Sequence, residues 1–247
     1  MRAFGKLTWT ELKLYFREPI GAFFTLVFPL MMLFLFGSMY GNEPSEYFNG
    51  YGSVDVSVPG YTAMIIATSS LMSLTIVIAA YRENGILRRL RATPLRPQAI
   101  LFAQVIVIFS MTLAGMALLI IAGKLVYNLR FDGNPWSVAL AFTFASLSFF
   151  ALGFVLAGLL PTARSAQLVG MVLLYPMIFL SGSTIPLEIL PEGVRSAARF
   201  LPLTYVVDLL RGLWIGEAWS QHWTAIAVLA GLLLVGVLVS VLTFRWE

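Results

Sequence analysis

Tyr81-Arg82-Glu83-Asn84-Gly85-Ile86-Leu87-Arg88-Arg89-Leu90-Arg91-Ala92-Thr93-Pro94 lies between two long apolar runs, Pro59 to Tyr81 and Ala99 to Gly123, and decides how the rest of the chain is read. As a helix it gathers Ile86, Leu87, Leu90 and Thr93 on one face and Arg88, Arg89 and Arg91 on the other, and Pro94 ends it. A short arginine-rich helix between two membrane spans anchors to the inner leaflet and offers a soluble partner an apolar stripe with a cationic rim.

Composition agrees with the membrane reading. Of 247 residues, 59% are hydrophobic and only 11% charged, and the mean hydropathy is +0.87. A soluble domain dilutes its core with a charged surface and does not reach such values. The length accommodates about six spans with modest loops and no second folded domain. The net charge of +4 comes from basic residues beside apolar spans, which favours membrane anchoring over nucleic acid as a partner. Cysteine is absent, which excludes a disulfide framework and a thiolate metal site.

The expected spans are 20–40, 59–81, 99–123, 137–160, 166–184 and 223–244. Pro176 inside the fifth kinks it and frees a carbonyl, which hydrocarbon tolerates only where other protein or a water-filled cavity receives it. With both termini cytoplasmic, Arg2, Lys6, Lys13, Arg17, Arg82, Arg88, Arg89, Arg91, Arg96, Arg164 and Arg245 fall inside. Only Lys124, Arg130, Arg195, Arg199 and Arg211 fall outside. The segment 1–19 reads as a retained interfacial helix, with Arg2, Lys6, Lys13 and Arg17 opposite Phe4, Trp9, Leu12, Tyr15 and Phe16. Residues 185–222 are too polar to span. They contain two short amphipathic patterns, one after Pro191 and one after Pro202, that read as outer re-entrant helices.

Several kinds of chemistry are missing. Gly5-Lys6 and Gly123-Lys124 are each followed by leucine and lack a glycine loop, so the chain carries no nucleotide-hydrolysing motif. The expected spans hold no acidic, basic or histidine residue at depth, which removes the main support for an ion-coupled carrier. His222 reads as an interfacial side chain without catalytic or metal-binding company.

The order of residues in the Tyr81 to Pro94 stretch resembles the first cytoplasmic loop of type-2 ABC exporter permeases, the ABC-2 type transporter family. Arg17-Glu18-Pro19, Val58-Pro59-Gly60, Pro186 with Leu190-Pro191, and Pro202-Leu203-Thr204-Tyr205 with Arg211 extend the match along the chain in the family's order. The chain departs from the pattern at Tyr81, Asn84, Ile86 and Gly193.

The resemblance implies an all-α integral membrane protein with six transmembrane helices, an N-terminal interfacial helix, a short cytoplasmic coupling helix and re-entrant helices before the sixth span. It implies a dimer with an identical or homologous permease subunit, and two copies of a separate ATPase that holds ATP and magnesium, this chain holding no cofactor or metal itself. The ATPase contacts would be Arg17, Glu18, Arg82, Glu83, Gly85, Ile86, Leu87, Arg88, Arg89, Leu90 and Arg91. The pathway would run along Thr68, Ser69, Met72 and Thr75 of the second span and Gln167, Met171, Tyr175 and Ile178 of the fifth. An outer lid would contain Pro186, Pro191, Pro202, Thr204, Tyr205, Asp208 and Arg211. A soft, apolar path with few hydroxyls suits hydrophobic or amphiphilic cargo, such as a drug or lipid. The alternatives are a permease for polysaccharide or other cargo and a non-transporting anchor for a soluble partner.

Overall fold

A backbone crossing hydrocarbon must satisfy its own N–H and C=O groups, and apolar runs without charge accordingly become helices. The computed structural model describes residues 2–17, 19–86, 97–185, 187 and 190–243. Among these the regular structure is helical throughout. Six helices are long and apolar enough to cross a membrane: Phe23–Tyr40, Ser53–Glu83, Ala99–Tyr127, Pro135–Leu159, Ala163–Leu180 and Trp223–Leu242, called here the first to sixth spans. An N-terminal helix, Arg2–Arg17, precedes them, and two short helices, Glu192–Ala198 and Pro202–Trp214, lie between the fifth and sixth. Glu18, Leu87, Arg88, Arg89, Leu90, Arg91 and Pro186 lie outside the described residues, as does most of the expected coupling helix.

Element boundaries differ from the sequence pattern for local reasons. The second span begins at Ser53, a turn and a half before Pro59, because the Asp55 carboxylate accepts the Gly52 N–H at 2.9 Å and secures the first turn. The fifth ends at Leu180, where Ser181 to Ile185 bend away. Pro176 is accommodated inside that helix.

The second span is the hub. Of its apolar window 83% is buried, against 17% for the sixth, so the second is surrounded by protein while the sixth presents most of its surface to lipid. It packs against the first, third, fourth and fifth spans, and the Pro202–Trp214 helix covers its outer part. Leu71 and Leu74 are completely buried, as are Phe149 of the fourth span and Leu203 and Leu209 of the short helix. Burying a leucine or phenylalanine side chain of this size is worth about 1.5–3 kcal/mol from water, less from lipid, so tight packing carries much of the association here. Gly170 shows how close the second and fifth spans come: a Cβ there would lie 2.6 Å from the Leu71 carbonyl oxygen.

Two stretches depart from α-geometry. Phe23–Val27 in the first span and Ser69–Leu74 in the second are π-helical, each a wide turn with i→i+5 hydrogen bonding.

Candidate functional site

The first, second and fifth spans enclose a cavity of about 310 Å³. The second span contributes Thr68, Met72, Ser73 and Ile76, and the fifth contributes Gln167, Met171, Leu174, Tyr175 and Ile178. Phe24 and Phe28 face them from the first span, and Arg17 and Pro19 stand at one end. The wall is apolar and methionine-rich, with isolated hydroxyl and amide groups.

Six of the eight residues expected on a path therefore share one space: Thr68, Met72, Gln167, Met171, Tyr175 and Ile178. Ser69 and Thr75 do not line it. Both are fully buried, and the Thr75 hydroxyl donates to Ser70 O at 2.9 Å and to Gly153 O of the fourth span at 3.2 Å. The cause is the π stretch, whose wide turn brings Ser73, five residues on, beneath Thr68 and rotates Ser69 and Thr75 away. Ser73 Oγ is 95% buried with no hydrogen-bond partner among the described residues, a polar point on the cavity wall that helical periodicity did not single out.

At the end of the second span near the N-terminal helix, Arg82 and Glu83 grip the turn joining the fourth and fifth spans. Arg82 Nη1 donates to the carbonyls of Ala157 and Gly158, at 2.9 and 2.7 Å, in the last turn of the fourth span. Glu83 Oε2 accepts the N–H of Ala163, the first residue of the fifth, at 2.9 Å. The cation meets a helix C-terminus and the anion a helix N-terminus, so both charges match the local dipole. Gly85 follows in the left-handed conformation (φ 65°), donating to Arg82 O at 3.0 Å and terminating the helix as only glycine does without strain. Ile86 is half-buried.

The N-terminal helix lies along the third span. Tyr15 and Glu11 face inward while Trp9 and Phe16 are more than half exposed, so the aromatic side is split between protein and surroundings. Lys13 Nζ sits 5.4 Å from the centre of the Trp9 ring. Glu11 Oε2 accepts the Tyr81 hydroxyl at 2.6 Å and the Gln104 amide, which also donates to Tyr81 Oη at 3.0 Å. Burial pushes the Glu11 carboxyl above its ordinary value, and the two hydrogen bonds partly oppose that rise.

On the opposite face Asp55 is fully buried and satisfied. It accepts from Gly52 N, from Asn42 Nδ2 at 2.8 Å and from Arg130 N at 2.8 Å, drawing together the loop after the first span, the start of the second and the loop after the third. Nearby, Pro191 precedes Glu192–Ala198 and Pro202 opens the next helix. Thr204 Oγ1 donates to Ala198 O at 2.6 Å and Tyr205 Oη to Arg199 O at 2.7 Å, stitching the two short helices together. Asp208, Arg211 and Thr204 line a cup of about 200 Å³. His222, expected to be interfacial and alone, is instead 94% buried, its Nδ1 3.0 Å from Asp208 and its Nε2 2.9 Å from Glu217. These partners lie 14 and 5 residues away, too irregularly spaced for a pattern to reveal. No group of acidic and histidine side chains among the described residues is arranged to hold a metal ion.

Residues 2–214 match the ABC-2 type transporter family. Over 230 residues the chain is 23% identical to the putative transport permease ycf38 of Porphyra purpurea, covering 92% of this chain and 79% of that one. It is 23% identical over 242 residues to the putative transport permease YvfS of Bacillus subtilis, covering 97% and 96%. It is 22% identical over 178 residues to the probable multidrug ABC transporter permease YbhR of Escherichia coli K12, covering 70% of this chain and 48% of the relative. With the family match running from the N-terminal helix through all but the last span, this multi-pass membrane protein belongs to the ABC-2 type transporter family.

Proposed function

We propose that this chain is the membrane-spanning permease subunit of an ATP-driven exporter in the cytoplasmic membrane, moving a hydrophobic or amphiphilic substrate such as a drug or lipid. Both termini face the cytoplasm, as the distribution of arginine and lysine favours. A separate ATPase supplies the energy, and two copies of it act on a pair of permease subunits.

The observation that carries this reading is the cavity between the first, second and fifth spans, where Met72, Met171 and Tyr175 meet Thr68 and Gln167 in one apolar, adaptable space. A membrane anchor needs no such space. The connections around the second span suit a lever. An ATPase pressing on the segment after Gly85 would also move the fourth-to-fifth turn through Arg82 and Glu83, and the N-terminal helix through Tyr81.

The test is ATP-dependent uptake of a fluorescent amphiphile into inside-out vesicles, with and without the ATPase. Uptake should need both proteins. Met171→Trp, which fills the cavity, should abolish uptake while the ATPase still co-purifies. Unchanged uptake in that variant overturns the assignment of the path, and uptake without any ATPase overturns the energy source.

A further inference from the structure

The third and fourth spans are joined by the short stretch 128–134, yet they diverge and leave between them a crevice of about 440 Å³. Phe142 and Val138 on one wall and Met116 on the other are at most 8% exposed, which fixes the walls within the core, while Leu113, 47% exposed, forms an open lip. Toward the 128–134 loop the crevice is closed by Phe131 and Trp214, edge to face with ring centroids 4.7 Å apart. The indole N–H of Trp214 is engaged by Arg130 O at 3.0 Å.

A single charge stands on this otherwise apolar wall. Lys124, in the last turn of the third span, is exposed and has no hydrogen-bond or ion-pair partner among the described residues. Trp136, 85% exposed near the start of the fourth span, has the character of a headgroup-level anchor beside it. A dry crevice opening to a bilayer is not left empty, because water gains no hydrogen bonds there and a void forfeits the contacts of its lining.

We infer that this crevice binds one phospholipid with an anionic headgroup, drawn from the leaflet on the side opposite the termini. An acyl chain lies between the third and fourth spans, and the Lys124 ammonium meets the headgroup phosphate. A zwitterionic lipid carries its own ammonium, which competes for that phosphate and leaves Lys124 less well matched. The inference depends only on the chain spanning a membrane and is independent of the transport reading.

The experiment is a lipid-binding titration by native mass spectrometry on the purified full chain in detergent, using phosphatidylglycerol and phosphatidylcholine with identical acyl chains. The wild type should prefer phosphatidylglycerol by roughly five-fold, the effect of one interfacial lysine. Lys124→Gln should erase the preference while phosphatidylcholine binding persists, and Lys124→Arg should keep it. Ala139→Phe, which fills the crevice, should weaken both lipids, with circular dichroism verifying that each variant is folded. Equal affinities in the wild type, a preference that survives Lys124→Gln, or unaltered binding in Ala139→Phe overturns the proposal. A variant that alters the mass of the oligomer while leaving lipid binding untouched assigns the crevice to a second copy of the chain and overturns it equally.

Discussion

The hydroxyl of Tyr81 donates to the carboxylate of Glu11 across 70 residues of sequence, tying the helix that lies along the third span to the end of the span that everything else packs around. Because burial raises the Glu11 carboxyl above its ordinary value of 4.5, the folded state holds a proton that the unfolded state has released in the interval just above that value. Stability therefore falls as pH rises through that interval. Glu11→Gln keeps an acceptor for Tyr81 and cannot titrate. It should be at least as stable as wild type at neutral pH and should lose the acid-side gain, as read by thermal unfolding in detergent between about pH 4 and about pH 8.

Arg82 satisfies two carbonyls in the last turn of the fourth span that no other described side chain reaches. Arg82→Ala should cost about 1.5–3 kcal/mol, the range for hydrogen bonds to a charged group. It should also raise hydrogen exchange in the fourth-to-fifth turn. Arg82→Lys recovers at most one of the two bonds and should fall between wild type and alanine. Identical exchange in all three proteins would count against the clasp.

His222 separates Asp208 from Glu217, one on each ring nitrogen. His222→Ala would leave two carboxylates facing a space from which their donor has gone, and like charges there repel. Residues 215–222 should then become accessible to limited proteolysis, while His222→Gln should remain partly protected because an amide can still donate to one carboxylate. Equal cleavage of wild type and alanine variant would show that the histidine does not hold this segment.

The proposed ATPase contact makes a separate prediction that rests on the sequence pattern alone. Leu90→Asp places a charge in the apolar stripe of Ile86, Leu87 and Leu90 and should abolish co-purification with the ATPase and ATP-dependent transport. Membrane insertion should persist. Normal pull-down and normal transport would remove the docking role.

The six spans were legible because lipid demands long uncharged helices, a requirement that leaves a coarse and unmistakable pattern. The same demand made the ends hard to place. The start of the second span at Ser53 depends on Asp55 reaching back to Gly52, a bond among polar residues that looked like loop. The face of the second span was readable down to Thr68 and Met72 and then failed at Ser69 and Thr75. Apolar periodicity assumes 3.6 residues per turn, and nothing in Ser-Ser-Leu-Met-Ser-Leu announces a wider one. The pairing of Glu11 with Tyr81 and Gln104, and of His222 with Asp208 and Glu217, joins elements distant in the chain. Each of those residues, taken singly, looks like an ordinary interfacial side chain.

The wide turn at Ser69–Leu74 also sets the angular phase between the two halves of the second span. Removing one residue there would let the helix relax to a uniform pitch, swinging everything after it by about 100°. The guanidinium of Arg82 would then point away from the fourth-to-fifth turn even though every bond it makes today had been left intact in the sequence. The span works like a shaft whose two keyways are aligned by a single spacer, so a one-codon deletion at its centre should be more damaging than many substitutions at either end.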